Sequence, residues 1–188
     1  MEQLLAYLQS IHPLSTDLVS YLGTVLKTKT LAKREMLLVR DQICKNIYFV
    51  SRGLVRCYYI LDETEVSSWF MKEGDVIVSV ESFYTQKPSN EIMQALEECE
   101  LYYISYDELQ YVYKHYPEFN FIGRVLIEKY YILSERRLFS LRMQKASERY
   151  RYLLDYHPEL ILRVPSKFLA SYLGITEETL SRIRSGKK

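Results

Sequence analysis

The sequence of 188 residues has only three cysteines, Cys44, Cys57 and Cys99, far apart and odd in number. They form no CxxC pair and no ligand spacing with His12, His115 or His157, which excludes a disulfide scaffold and a metal-binding cluster. The reading that remains is three reduced, half-buried thiols in a cytoplasmic protein. Long apolar runs are also missing. No stretch approaches the ~18 residues of a membrane span, and the N-terminus MEQLLAYLQS lacks the basic start and apolar core of a signal peptide. No nucleophile–base pair and no phosphate loop is found, and the three histidines stand isolated beside or near prolines, so no enzyme activity is expected. Net charge is nearly absent: 25 Lys and Arg face 24 Asp and Glu, leaving +1. As an average, that speaks against a protein dominated by nucleic-acid binding. What is present is ordinary: 48% hydrophobic and 26% charged residues exclude intrinsic disorder and a collagen-like repeat. The length suits one or two domains with a real core.

The near-neutral average is a cancellation. Residues 1–123 hold 11 Lys/Arg against 17 Asp/Glu, and residues 124–188 hold 14 against 7. An acidic first part and a basic last third suggest two tasks, with the basic end the candidate for a polyanion. A merely basic solvated surface would give the same count.

Local patterns divide the chain in the same way. Leu4, Leu5, Leu8 and Ile11 fall at helical spacing until Pro13, so residues 2–26 read as one or two short helices. From Thr28 to Ile104 short β-branched and aromatic runs alternate with turn signals. The runs are Met36–Val39, Ile47–Val50, Leu54–Leu61, Ser67–Met71, Val76–Val80 and Leu101–Ile104. Ser51–Gly53 and Gly74–Asp75 read as tight turns. This spacing predicts a closed or two-sheet antiparallel barrel, hence an α+β fold in which helices flank and follow the strands. After Pro117 comes a helical stretch without proline or glycine from Arg124 to Tyr156, whose first part runs to about Met143. Phe119, Ile122, Leu126, Ile132, Leu133 and Leu141 form its apolar face, which suits either intramolecular packing or a dimer seam through Ile122, Leu126 and Leu133. A second helix ends at His157–Pro158.

The segment Val164–Lys188 is the most specific. Phe168, Leu169, Tyr172 and Leu173 make an apolar stripe, and Gly174 is a natural left-handed stop. Thr176 can cap a second helix, and Glu177 and Glu178 suit its positive N-terminal end. Two short helices joined at a glycine are the layout of a helix-turn-helix. At roughly 100° per residue, Leu180 and Ile183 form the packed side of the second helix. Glu178, Ser181, Arg182 and Ser185 then face outward, with Thr179 and Arg184 on the flanks. Arginine pairs with guanine through two hydrogen bonds and glutamate accepts from cytosine N4, so Glu178, Ser181 and Arg182 are candidate base readers in a major groove. Ser166, Lys167, Thr179 and Arg184 are candidate phosphate contacts. Glu178 and Arg182 are equally an i,i+4 ion pair of the kind that decorates exposed helices.

At these residues the sequence resembles the Crp/Fnr superfamily of bacterial transcription regulators, over nearly its whole length. LASYLGITEETLSRI (169–183) matches the family's helix-turn-helix. NIYFVSRGLVRCYYI (46–60) looks like its barrel hairpin, and GDVIVS (74–79) like the start of its phosphate-binding cassette. The likeness is greatest to a Bacteroidetes-type branch with divergent cassettes. The resemblance implies a jelly-roll sensor of the cyclic nucleotide-binding type over residues 1–115. A dimerisation helix over 117–143 and a DNA-binding unit over 144–188 follow. It places Glu178 and Arg182 on the family's base readers and Thr179 on a phosphate contact. Double-stranded DNA, a second copy of the chain, RNA polymerase and a small-molecule effector are the implied partners, with no membrane.

Departures from the family qualify this. Glu177 stands where the cyclic AMP receptor branch carries a guanine-reading arginine, which implies another operator. In the cassette, Ser79 replaces the ribose-binding glutamate, and Ser89 or its neighbour Asn90 replaces the phosphate-binding arginine. With Val78 these are the expected effector-pocket residues, and none supplies the positive charge a buried phosphate needs. Arg56, Lys72 and Lys87 are the candidates to substitute for it, against the plainer reading of each as surface charge. Cyclic AMP is therefore not the expected effector, and no cofactor, iron–sulfur cluster or haem is expected. The family's β-hairpin wing has no counterpart after Ser185, with Lys187 and Lys188 the candidates to replace part of its phosphate contacts. The expectation is thus a dimeric DNA-binding regulator. The alternative is a ligand-binding or protein-interaction module whose helix-turn-helix no longer reads DNA.

Overall fold

The computed structural model describes residues 1–186. These divide into two compact units, one of Met1–Cys57 and Met71–Lys129, the other of Tyr58–Phe70 and Tyr130–Lys188.

The first unit opens with two short helices, α1 (Glu2–Ile11) and α2 (Thr16–Val25). Pro13 separates them, and the Ser15 hydroxyl caps α2 by accepting from the Leu18 N–H at 3.2 Å. The strands follow: β1 (Lys27–Leu31), β2 (Met36–Leu38), β3 (Asn46–Arg52), β4 (Val55–Leu61), β5 (Thr64–Met71), β6 (Val76–Ile77), β7 (Ile92–Ala95) and β8 (Cys99–Ser105). They form two open four-stranded sheets, β1-β8-β3-β6 and β2-β7-β4-β5. The sandwich form of the expected barrel is the one adopted, and neither sheet closes on itself. β3 and β8 pair antiparallel from Asn46↔Ser105 to Val50↔Leu101, and the register shifts before Arg52↔Glu100. Leu18, Leu31, Val50, Leu54, Phe83 and Leu101 are fully buried.

Two elements differ from the sequence reading. The apolar run Val76–Val80, expected as one strand, is a strand only to Ile77, and the short helix α3 (Val80–Thr85) begins at Val80. β1, which the apolar pattern did not show, is an edge strand whose lysines Lys27 and Lys29 pattern it as polar.

Beyond α4 (Tyr106–His115), helix α5 runs from Pro117 to Met143. Ile122, expected on a dimer seam, is fully buried in the core of the first unit. It packs against the chain itself and presents no surface to a second copy. Leu126 lines an apolar cavity of that same unit with Leu4, Leu8 and Tyr48. The large apolar residues that α5 does expose are Phe121, Ile127, Tyr131, Ile132, Leu138, Phe139, Leu141 and Met143.

The second unit holds the tip of the β4–β5 hairpin, the rest of α5, α6 (Ala146–Tyr156), α7 (Pro158–Arg163), α8 (Ser166–Leu173) and α9 (Glu177–Arg184). The break between α5 and α6 needs no proline or glycine. Glu148 Oε2 takes the Lys145 N–H at 2.7 Å, and Arg149 Nη1 caps the Gln144 carbonyl at 2.5 Å. Leu153, Leu160, Leu169, Leu173 and Leu180 form its core. No helix among the described residues is long and apolar enough to cross a membrane.

All three cysteines are free. They lie deeper than half-buried, with exposures of 1% for Cys44, 2% for Cys57 and 0% for Cys99. Burial pushes each thiol above its ordinary value, so the reactive thiolate is scarce at pH 8. A thiol–disulfide reagent at that pH is expected to label no cysteine in the native protein and all three in guanidinium. Rapid labelling of the native chain would contradict the packing.

Candidate nucleic-acid interface and effector pocket

The helix-turn-helix is built from local signals. Gly174 ends α8 with φ +65° and ψ 39°, as the sequence predicts. The Thr176 hydroxyl then caps α9, accepting from the Thr179 N–H at 3.2 Å. Leu180 is buried and Ile183 half-buried, which turns Glu178, Ser181, Arg182 and Ser185 outward and leaves all four exposed. Ser166, Glu178, Ser181, Arg182 and Arg184 line one open depression. The predicted base readers and two of the predicted phosphate contacts therefore share a surface. Thr179 is half-buried, and Lys167 is exposed on the first turn of α8.

The side chains are arranged more informatively than spacing alone indicates. Glu178 and Arg182 form no ion pair with each other. Arg182 Nη2 donates to Thr179 Oγ1 at 3.2 Å, and that hydroxyl lies 3.0 Å from Thr176 Oγ1. Arg184 Nη1 donates to Ser166 Oγ at 2.9 Å and ties the recognition helix to the start of α8. Lys187 and Lys188 lie outside the described residues.

The expected effector pocket sits where β6, α3 and β7 meet. Ser79 and Ser89 are both buried, and their hydroxyls are bonded to each other at 2.9 Å. Ser89 Oγ also accepts from the Glu91 N–H at 2.9 Å and donates to the Glu91 carbonyl at 3.1 Å. Val78 is half-buried, and Asn90 is exposed and not drawn in. The two serine hydroxyls thus satisfy one another and the backbone.

Arg56 corrects the sequence reading. It is wholly buried, with 0% exposure, and is no surface charge. Val55–Tyr58 is buried at every position, so β4 is covered on both faces where Arg56 sits. Glu91 is also buried. Burial chiefly raises the Cys57 thiol; the Glu91 carboxylate raises it further, and Arg56 opposes them. A buried cation and a buried anion therefore act on the same thiol. The only hint in the sequence was an arginine inside the apolar run GLVRCYYI.

A two-sheet sandwich of this topology, with a short helix between its sixth and seventh strands, is matched by one family model. The model for the cyclic nucleotide-binding domain matches residues 28–116.

Solved structures extend the likeness beyond that domain. FixK2 from Bradyrhizobium japonicum superposes with a TM-score of 0.73 at 21% identity, over 86% of this chain and 84% of its own. CLP, the cyclic-di-GMP-responsive global regulator of Xanthomonas campestris, gives 0.72 at 19% identity, over 89% of each chain. The catabolite activator protein of Thermus thermophilus gives 0.59 at 18%, over 96% of this chain and 85% of its own. The fold is shared with all three and with a putative transcriptional regulator of the Crp/Fnr family from Eubacterium rectale, which gives a TM-score of 0.71 at 16% identity, over 96% of this chain and 87% of its own. Among curated proteins none matches the sequence. The paired Ser79 and Ser89 are where this chain's pocket departs from the cassette the resemblance implies.

Proposed function

We propose that the protein is a sequence-specific DNA-binding transcription regulator that acts as a homodimer. The sandwich (about 1–115) is its sensor, α5 (117–143) its dimerisation helix and residues 144–188 its DNA-binding unit. The observation that carries this reading is the face of α9. Glu178, Ser181 and Arg182 are exposed on one surface, and the ion pair that would explain Glu178 and Arg182 as mere decoration is not formed. Base-edge hydrogen bonding needs such available donors and acceptors on the outward side of a recognition helix.

Two-fold pairing draws support from α5. Ile127, Tyr131, Leu138 and Leu141 are exposed and, with Ser134 between them, follow the alternating four- and three-residue steps of a coiled-coil seam. Leu138→Lys is expected to convert a sedimenting dimer to a monomer; an unchanged mass would remove α5 as the seam. The pocket supports an effector other than cyclic AMP, or none. A cyclic phosphate would meet two serines already hydrogen-bonded to each other.

The test is selection of bound sequences from random double-stranded DNA by the full chain. The expected result is a palindromic motif with half-sites ~34 Å apart, as two recognition helices related by a two-fold axis require, and binding that weakens steeply with salt. Enrichment of no sequence would overturn DNA reading and leave the interaction module as the better description.

A further inference from the structure

The second unit contains a cavity of about 460 Å³ that neither DNA reading nor the nucleotide-binding fold uses. This lies within the ~300–1,000 Å³ of ordinary small-molecule sites. It is a half-open cleft bordered by the last turns of α5, by α6, by the end of α8 and by Trp69 of β5. Its walls are flat rings: Trp69, Phe139, Tyr152 and Tyr172.

Its charged groups are unusual. Arg137 and Arg149 both reach the cavity and are half-buried, and no carboxylate lies within ion-pair distance of either among the described residues. Arg137 stacks 3.5 Å over the Tyr172 ring, and its Nη2 donates to the Tyr172 carbonyl. Arg149 Nε donates to the Leu173 carbonyl at 2.9 Å and Nη1 to the Gln144 carbonyl at 2.5 Å. A guanidinium has five N–H donors, so these bonds leave most of Arg137's donors and part of Arg149's without a protein acceptor. Burial draws the Arg137 guanidinium below its ordinary value, and the nearby Arg149 cation adds to this against the opposing effect of Tyr172. At the rim, Arg136 and Glu135, both exposed, offset each other in charge.

Two adjacent cations held by backbone carbonyls keep their full charge, because carbonyls orient a guanidinium without neutralising it. Flat aromatic walls favour a flat guest, and the planar fork of arginine suits a carboxylate or phosphate. We propose that this cavity is a binding site for a planar aromatic anion, a ring carrying a carboxylate or a phosphate. The site is separate from the pocket of the cyclic nucleotide-binding domain and does not depend on DNA being read.

Calorimetry on the full-length protein tests it with three probes: naphthalene-2-carboxylate, 2-naphthyl phosphate and the neutral naphthalene-2-carboxamide. Trp69, the only tryptophan, reports independently through its emission. One anion per chain is expected to bind saturably and to shift Trp69 emission, with the carboxamide at least tenfold weaker. The tighter of the two anions identifies the headgroup. Arg137→Gln and Arg149→Gln should each weaken the anion about tenfold. Because both arginines also hold carbonyls at the end of α8, Ser140→Trp provides a second variant that fills the cavity from α5 and leaves those bonds in place. It should abolish binding while the thermal transition is retained. Equal affinity for anion and amide, unchanged binding in Ser140→Trp, or no binding of either anion would overturn the proposal.

Discussion

Gly53→Ala is expected to cost about 3 kcal/mol or more of folding stability, because two separate penalties fall on one methyl group. Gly53 joins β3 to β4 at φ +100°, a backbone conformation that an L side chain adopts only under strain. The added Cβ would also stand 2.5 Å from the Glu98 carbonyl oxygen, 2.6 Å from Cys99 Sγ and 2.9 Å from Cys99 Cα. Two of these three neighbours are backbone atoms, and Cys99 is fully buried, so no flexible side-chain end can swing away. Relief requires β8 to move, and β8 pairs with both β1 and β3. Urea unfolding should show a much lower midpoint at an unchanged slope. Gly23→Ala is the control. It lies inside α2 with nothing within 4 Å of the added carbon, and is expected to stabilise by about 0.5–1 kcal/mol. Similar midpoints for the two variants would refute the tight packing at Gly53.

Arg182→Ala is expected to remove about 1–3 kcal/mol of discrimination between the operator and random DNA, the worth of one bidentate arginine–guanine contact. Stability should hardly change. Arg182 is exposed, and its one protein bond goes to the Thr179 hydroxyl, which keeps Thr176 as a neighbour when the arginine is removed. Lys167→Ala gives the contrast. A phosphate contact adds affinity on every sequence, so its loss should weaken operator and random DNA alike and reduce the salt dependence by about one ion. Titrations against both DNAs at two salt concentrations separate the roles. If Arg182→Ala and Lys167→Ala behave identically, Arg182 holds a phosphate and reads no base.

The C-terminal unit was the more legible of the two because its signals are local. Gly174 stops α8 and Thr176 starts α9 through bonds that span three or four residues. The apolar period places Leu180 inside and Arg182 outside without knowledge of any other element. The charge split was equally local, and it separated an acidic sandwich from a basic helical end before any fold was known.

The amino-acid order alone thus determined the succession of strands and helices except β1 and α3, the turn at Gly53, the capped recognition helix and the outward set on it, since each depends on neighbours along the chain. Only the tertiary structure decided which residues become buried by partners far away in sequence. Arg56 reads as surface charge until β4 is covered on both faces. Ile122 reads as a seam residue until the core of the first unit encloses it. The tip of the β4–β5 hairpin belongs to the second unit because Ser171 Oγ donates to the Glu65 carbonyl at 3.0 Å and accepts from the Ser67 N–H at 3.0 Å. Ser67 and Ser171 are 104 residues apart. Periodicity shows that a face is apolar or polar, but the surface that covers it is set by long-range packing, which no local pattern records.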